Sequence, residues 1–360
     1  MRQTLLITLD FPPRVGGVAS YYSSLYGLLP SEKVSVLTCP MEGSDDFDRH
    51  QEYEIDRSLP CIEDWNKKAA LKLLKAIKNT AKFEILQVGN VLPLGTVAML
   101  SGIPYQVFTH GLDILKPNGL KKILVKKILQ KAEKIIANSE FTKSVINSFG
   151  INPEKIEIIY PSPRISPAHE DIQVTKNIKE KFNLNQEKII LSVGRLVKRK
   201  RFDLLVGAFK KINNTFPETK LFIVGDGPEK DNLTLEKNIY LVPKVTEAEL
   251  AAFYKICNIF IMTPEELSDG DVEGFGIVYL EAGSFGKPVI GTKSGGVPEA
   301  IVDNETGLLI EPDNENELIG AITKLLNDED LANTLGESGK LRVQNEFTPE
   351  IQVTKLKRLM

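Results

Sequence analysis

The chain has 360 residues, 42% of them hydrophobic and 26% charged, with a formal net charge of −3. That length allows two domains, each with its own core, and no run approaches the ~18 apolar residues of a membrane span. The three cysteines (Cys39, Cys61, Cys257) are scattered without a CxxC pair, and there are three histidines, so neither a disulfide framework nor a zinc cluster is expected. Met1-Arg2-Gln3 leads straight into a strand-like segment, not a secretory signal, and a cytoplasmic protein is expected.

In chain order, β-rich apolar runs alternate with helix-period segments. Strands are predicted at 4–9, 33–38, 83–89, 104–109, 134–138 and 155–160. Between them, 18–29, 66–80, 93–101, 119–132 and 139–149 read as helices. A second series has strands at 188–194, 220–225, 238–242, 258–262, 287–291 and 307–310, with helices near 202–213, 246–255, 276–285 and 313–326. Such alternation builds parallel sheets covered on both faces. Two series predict two doubly wound α/β domains, and "YPSPRISPAHED" (160–171), rich in proline and without periodicity, is the expected linker. Ligands of such sheets bind at the carboxyl ends of the strands, and two facing domains would leave a cleft.

Charge is uneven. Residues 65–143 hold 14 Lys+Arg against 4 Asp+Glu, an excess that suits an anionic partner. Two segments carry it, 65–82 and 119–138. Both place lysines around apolar stripes that are expected to face the core, which would leave the lysines for electrostatic docking on an anionic membrane surface. No aromatic stacking platform accompanies them, so nucleic acid is not expected as a partner.

"DFPPRVGGVASYY" (10–22) follows the first strand. Its Gly16-Gly17 pair opens a helix with bare backbone amides, suited either to a tight turn or to an anion. It is not the G-x-G-x-x-G dinucleotide fingerprint. "FTHGLDIL" (108–115) puts His110 just past a strand. In "SVGRLVKRKRFD" (192–203), Arg195 stands directly at a strand end, where a diphosphate would lie, and a basic cluster runs on through Lys200. "IVGDGPEK" (223–230) and "GTKSGGVPEAI" (291–301) read first as strand-to-helix turns. "SDDFD" (44–48) reads as an exposed acidic loop, not a metal motif.

"DVEGFGIVYLEAGSFGKPVI" (271–290) sets Glu273 and Glu281 eight residues apart. Along a helix opening at Gly276 that is roughly 12 Å. Paired glycosidase carboxylates lie roughly 5–9.5 Å apart, so these two suit different parts of one long ligand. A carboxylate beside free helix amides can grip sugar hydroxyls and a phosphate together.

In this order, "FPPRVGGV", "HGLD", "ANSEFTK", "SVGRLVKRK", "VGDGPEKDNL" and "EGFGIVYLE" resemble a retaining glycosyltransferase of family 4 with the GT-B fold, over nearly the whole chain. "DFPPRVGGVASYY" and "DVEGFGIVYLEA" are similar to motifs of the GDP-mannose-dependent enzymes that act on phosphatidylinositol mannosides. The resemblance implies an acceptor-binding Rossmann-like domain at 1–165, onto which a C-terminal helix at 347–360 packs back, and a donor-binding one at 166–346, facing each other across a cleft. It implies a nucleotide-diphosphate sugar as donor, best GDP-mannose, and a lipid-linked or glycan acceptor; the two lysine-rich segments add the expectation of a peripheral place on the inner face of the membrane. Gly16 and Gly17 would offer amides near the donor phosphate, and His110 would sit beside the transferred sugar. Arg195 and Lys200 would bind the diphosphate, in place of a metal or other cofactor. Glu273 would contact the sugar, with Phe275, Gly276 and Ile277 supplying backbone around it. Glu281 would hold the ribose, and Lys244 and Val245 would lie against the base. The chain departs from the family in carrying extra basic residues where many relatives have a glycine after the lysine, and in "LVPKV" near the base. A UDP-sugar-dependent transferase, a non-hydrolysing UDP-sugar epimerase and an inactive scaffold of the same fold are the alternatives. The epimerase would need an acid–base set around the sugar, for which the chain offers only His110.

Overall fold

The structure is a computed structural model that describes residues 1–79 and 82–360. Thr80 and Ala81, at the end of the first lysine-rich segment, lie outside the described residues, as does the side chain of Lys78. By its internal contacts the chain divides into two units, Met1–Ser162 with Pro349–Met360, and Pro163–Thr348.

Among the described residues of the first unit, seven parallel strands form one sheet. They are β1 (Thr4–Ile7), β2 (Val34–Leu37), β3 (Glu54–Asp56), β4 (Ile85–Val88), β5 (Tyr105–Thr109), β6 (Lys134–Ala137) and β7 (Ile156–Ile158), in the order β3-β2-β1-β4-β5-β6-β7. Alternate residues serve opposite faces, as a strand requires. Leu5 and Ile7 pack with Val88, Val107 and Ile128, whereas Leu6 packs with Tyr22, Tyr26 and Phe108. The C-terminal helix Pro349–Lys357 supplies Val353 and Leu356 to the second cluster. Its end is tied down by the Arg2 amide, which donates to the Met360 carbonyl at 2.9 Å, and by Gln106, whose amide donates to the Leu359 carbonyl at 2.6 Å.

The second unit repeats the plan with β8 (Ile189–Val193), β9 (Lys220–Val224), β10 (Ile239–Val242), β11 (Ile259–Ile261), β12 (Val289–Thr292) and β13 (Gly307–Ile310), ordered β10-β9-β8-β11-β12-β13. In both sheets the strand order reverses beside the first strand of the series, at β1/β4 and at β8/β11. The carboxyl ends at these reversal points are where doubly wound sheets leave room for a ligand.

Several elements differ from the sequence reading. "SDDFD" is not a loop but part of a helix, Ser44–Arg49. Asp45 and Asp46 lie in its first turn, where carboxylates favour a helix, and Asp48 pairs with Arg57 at 2.7 Å. The edge strand β3 has no buried face to mark it. A helix that the sequence reading did not mark, Ile172–Lys181, follows the linker segment and is capped by its last residue, Asp171. A long helix, Glu329–Glu346, contains two glycines that argue against it. Tertiary packing explains one of them, because a Cβ on Gly336 would stand 2.1 Å from the Gly286 carbonyl oxygen.

The apolar stripe of the helix Gly119–Lys131 is only partly in the core. Val125, Ile128 and Leu129 are buried, but Leu120 is 85% and Ile123 65% exposed. The helices Lys67–Asn79 and Gly119–Lys131 both pack on the short helix Thr96–Ser101, so all three belong to one layer. Leu71 and Leu100 are exposed on it as well. Among the described residues no helix is long and apolar enough to cross a membrane.

Arg201 begins the helix Phe202–Asn213 with φ of 48°, in the left-handed region. Three carboxylates hold it there: Glu265 at 2.7 Å, Asp313 at 2.8 Å and Asp203 at 3.1 Å. Arg201→Gly and Arg201→Ala lose the same ion pairs, but only glycine removes the backbone strain. The glycine variant should be about 0.5–1 kcal/mol the more stable of the two in urea, the strain relieved less the entropy glycine loses. An alanine variant equal to or above it would show that φ carries no cost here.

Candidate active site

The cluster in the second unit is built on the β8/β11 reversal. After β8 the chain makes a single turn, Lys198–Lys200. After β11 it runs out through 271–276 to the helix Ile277–Ser284. The Thr263 hydroxyl donates to the Arg201 carbonyl at 3.1 Å and the Glu265 amide to the Arg199 carbonyl at 2.8 Å, which joins the two loops. Lys200 Nζ then lies 3.6 Å from Glu273 Oε2 and 3.1 Å from the Met262 sulfur. Arg199 pairs with the same Glu273 oxygen and reaches Asp271 at 3.1 Å.

Burial and charge compete at each group. Burial lowers the Lys200 ammonium from its ordinary value, with Glu273 opposing and Arg199 assisting. Burial would raise the Glu273 carboxyl, but Lys200 and Arg199 outweigh it and hold the group below the usual carboxylate range. Glu273 is therefore an ionised acceptor with one oxygen committed to two cations. The Gly296 amide donates to the Glu273 carbonyl at 3.0 Å, and a Cβ on Gly296 would lie 2.1 Å from the Gly274 carbonyl oxygen. The glycine loop of "GTKSGGVPEAI" thus lets the backbone carrying Glu273 pack at contact distance. Phe275 is buried against Phe347, with ring centroids 5.7 Å apart. Gly276, with φ of 92°, precedes Ile277 at the helix start.

Arg195 stands at the end of β8 but is exposed, and among the described residues it has no ionic partner. Its neighbour Arg199 occupies the place beside Glu273. The sequence marked Arg199 only as one of a basic run; its pairing needed the fold. Glu281 is 3% exposed and burial raises its carboxyl. It accepts from the Tyr254 hydroxyl at 2.7 Å, and that bond, the Arg164 charge and the nearby backbone of 164–165 oppose the rise. The Arg164 guanidinium is 4.0 Å away and also binds Glu247 at 2.7 Å. Glu247 begins the helix that follows Lys244 and Val245, so Glu281 and the start of that helix share one partner. Lys244 is exposed and Val245 half-buried.

In the first unit, Gly16 and Gly17 are exposed at the start of the helix Gly17–Tyr26, which has no side-chain cap and no acidic residue in its first turn. Its first amides are open to an anion. His110 follows β5. Its amide donates to Asp113 Oδ1 at 3.0 Å and its Nε2 lies 2.6 Å from the Tyr22 hydroxyl. Burial lowers the imidazole to about 4 and raises the Asp113 carboxyl to about 6. Tyr22 and Asp113 sit inside the quoted motifs, yet nothing in their spacing singled them out. Among the described residues no group of three or more His, Cys, Asp or Glu side chains is arranged to hold a metal ion.

Comparison with known proteins gives the chemistry its class. Residues 15–162 match the family model of Glycosyltransferase Family 4, and residues 174–342 that of Glycosyl transferases group 1. The chain is 27% identical over 355 residues to a GDP-mannose-dependent alpha-(1-6)-phosphatidylinositol monomannoside mannosyltransferase of Mycolicibacterium smegmatis, covering 93% of this chain and 92% of that one. It is 31% identical over 276 residues to the capsular polysaccharide biosynthesis glycosyltransferase CapM of Staphylococcus aureus, covering 72% and 70%. Among solved structures, Anabaena Alr3699/HepE in complex with UDP-glucose superposes with a TM-score of 0.81 at 16% identity, over 99% of this chain and 98% of that one. Sucrose-phosphate synthase of Thermosynechococcus elongatus does so with 0.82 at 23% identity, over 99% and 98%. The chain belongs to the family 4 glycosyltransferases and has the GT-B fold.

Proposed function

We propose that the enzyme transfers mannose from GDP-mannose, with retention of configuration and without a metal, to a hydroxyl of a lipid-linked or glycan acceptor. The observation that carries this reading is the ionised Glu273 held by Lys200 and Arg199 at the β8/β11 reversal, beside the helix start at Gly276–Ile277. A carboxylate so placed accepts sugar hydroxyls, and the cations and helix amides face a diphosphate. The exposed Arg195 and the buried Lys200 would take the leaving diphosphate, and the open amides at Gly16 and Gly17 a donor phosphate. Phe275, Gly276 and Ile277 would line the sugar with backbone, and His110 would stand beside it. Glu281 would accept from the ribose, with Lys244 and Val245 against the base. In the step itself the bond from the anomeric carbon to the diphosphate oxygen breaks. The acceptor hydroxyl attacks the same face, and its proton passes to the departing phosphate oxygen. Fixed cations stabilise the charge that develops there.

GDP-mannose as donor is supported by the relatives of that specificity that match along nearly the full chain. The test is thermal stabilisation and turnover with GDP-mannose, UDP-glucose, UDP-GlcNAc and UDP-galactose. Only a ligand of the native state raises the melting point, by about 2.7 kcal/mol of stability at 100 times its Kd. Stabilisation by a UDP-sugar alone would overturn the donor, and an inverted linkage in the NMR spectrum of the product would overturn retention. Transfer should persist in a chelator; its loss, restored by a divalent cation, would overturn metal independence.

A lipid-linked acceptor is supported by the helical layer of the first unit, which exposes Leu71, Leu100, Leu120 and Ile123 and, on its two longer helices, Lys68, Lys72, Lys75, Lys121, Lys122 and Lys126. Such a face docks on an anionic bilayer through charge, with shallow burial of its apolar side chains. The protein should sediment with phosphatidylglycerol vesicles and less so at ~0.5 M salt, and the Leu120→Asp/Ile123→Asp variant should bind more weakly. Equal binding to neutral vesicles, or none to either, would favour a soluble glycan acceptor.

A further inference from the structure

The hydrogen-bond partners of Tyr22 decide which nitrogen of His110 carries the proton. The Tyr22 hydroxyl is 2.8 Å from the Gly89 carbonyl oxygen and 2.6 Å from His110 Nε2. A carbonyl only accepts, and a phenol has one hydrogen. That hydrogen goes to Gly89, so the Tyr22 oxygen is left as an acceptor and Nε2 must donate to it. In a neutral imidazole the other nitrogen, Nδ1, is then a bare acceptor.

The ring is also held in place. It stands edge-on to the rings of Tyr21 and Tyr22, each with its centroid 5.6 Å away, and its backbone amide is fixed by Asp113. Among the described residues, Nδ1 itself has no hydrogen-bond partner. The titratable groups in contact with this ring are Tyr21 and Tyr22 from the helix Gly17–Tyr26, while Asp113 from its own loop binds the backbone amide; among the described residues none of them donates to Nδ1.

We infer that Tyr22 is a positioning residue that locks His110 as the Nε2–H tautomer, so that Nδ1 accepts a hydrogen bond from a hydroxyl of the bound sugar. The ligand half of this inference rests on the reading that His110 stands beside the transferred sugar; the tautomer does not. An acceptor at Nδ1 is matched to a hydroxyl and mismatched to a phosphate oxygen, which offers no proton. His110 then helps to select the sugar ring and plays no part in holding the diphosphate.

The test is nitrogen-15 NMR of the imidazole ring in the ligand-free full chain at neutral pH. The chain has only three histidines, His50, His110 and His169, and His110→Ala assigns the signal. We expect Nε2 at the protonated position and Nδ1 at the unprotonated one. A proton on Nδ1 in the wild-type protein would overturn the inference whatever the variants do. Tyr22→Phe keeps the ring but removes the oxygen. It should release the tautomer preference and lower kcat about tenfold, roughly the worth of one hydrogen bond. Tyr21→Phe is the control, because its hydroxyl serves the Ile159 carbonyl at 2.8 Å; it should leave the His110 signals in place. An unchanged tautomer in folded Tyr22→Phe would remove the positioning role. With the wild-type tautomer as expected, full turnover in His110→Ala would instead overturn the sugar contact, leaving the lock intact.

Discussion

Glu273→Ala should lower turnover about 100- to 1,000-fold, the size of effect seen when a group that stabilises developing charge is lost. The same change leaves Arg199 and Lys200 buried without their shared carboxylate. Removing one partner of a buried pair destabilises by about 3–5 kcal/mol, so a loss of stability should accompany the loss of rate. The two effects separate in Glu273→Gln, which keeps the shape and one acceptor oxygen while removing the charge. If the carboxylate acts on the reacting donor, Gln should stay near Ala in kcat but recover part of the stability. Rates near wild type in either folded variant would take Glu273 out of the site.

Gly296→Ala should be nearly as damaging without touching any charged group. The new Cβ would lie 2.1 Å from the Gly274 oxygen and 2.8 Å from its carbonyl carbon. Both are backbone atoms, so the 273–276 segment has to retreat. A shift of about 1 Å at a reacting centre costs on the order of 100-fold in rate, and that is the loss expected in kcat/KM. Gly320→Ala is the comparison. It lies inside the helix Glu315–Asn327 and a Cβ there meets nothing within 4 Å. It should stabilise the protein by about 0.5–1 kcal/mol and leave kcat/KM unchanged. Equal behaviour of the two glycine variants would mean that the close approach at Gly296 has no bearing on the loop that carries Glu273.

Much of the architecture is legible in the sequence. Strands such as β8 and β9 are buried on both faces and so appear as continuous apolar runs. The helices Phe202–Asn213 and Glu315–Asn327 appear by period, since each has one face in the core. Elements without a buried face, such as β3, left no such mark. Neither did the helix Glu329–Glu346, whose glycines look like loop residues until the backbone they pack against is known.

The same division runs through the site. Sequence alone determined that Lys200, Glu273 and Glu281 belong to two strand-end loops and a helix, because glycines, strand ends and acidic or basic residues recur in a recognisable order. It also determined the family to which that order belongs. Only the tertiary structure decided that Arg199, and not Arg195, pairs with Glu273. Likewise it decided that Glu281 is engaged by Tyr254 and Arg164, that Tyr22 meets His110, and that Leu120 and Ile123 face outward. Each of these depends on the side-chain direction of residues far apart in the chain; Tyr22 and His110, for example, are separated by 88 positions. Periodicity reports which face of an element is apolar. It carries no information on which distant polar group completes a hydrogen bond, because that partner is set by strand order and loop packing once the sheets have formed.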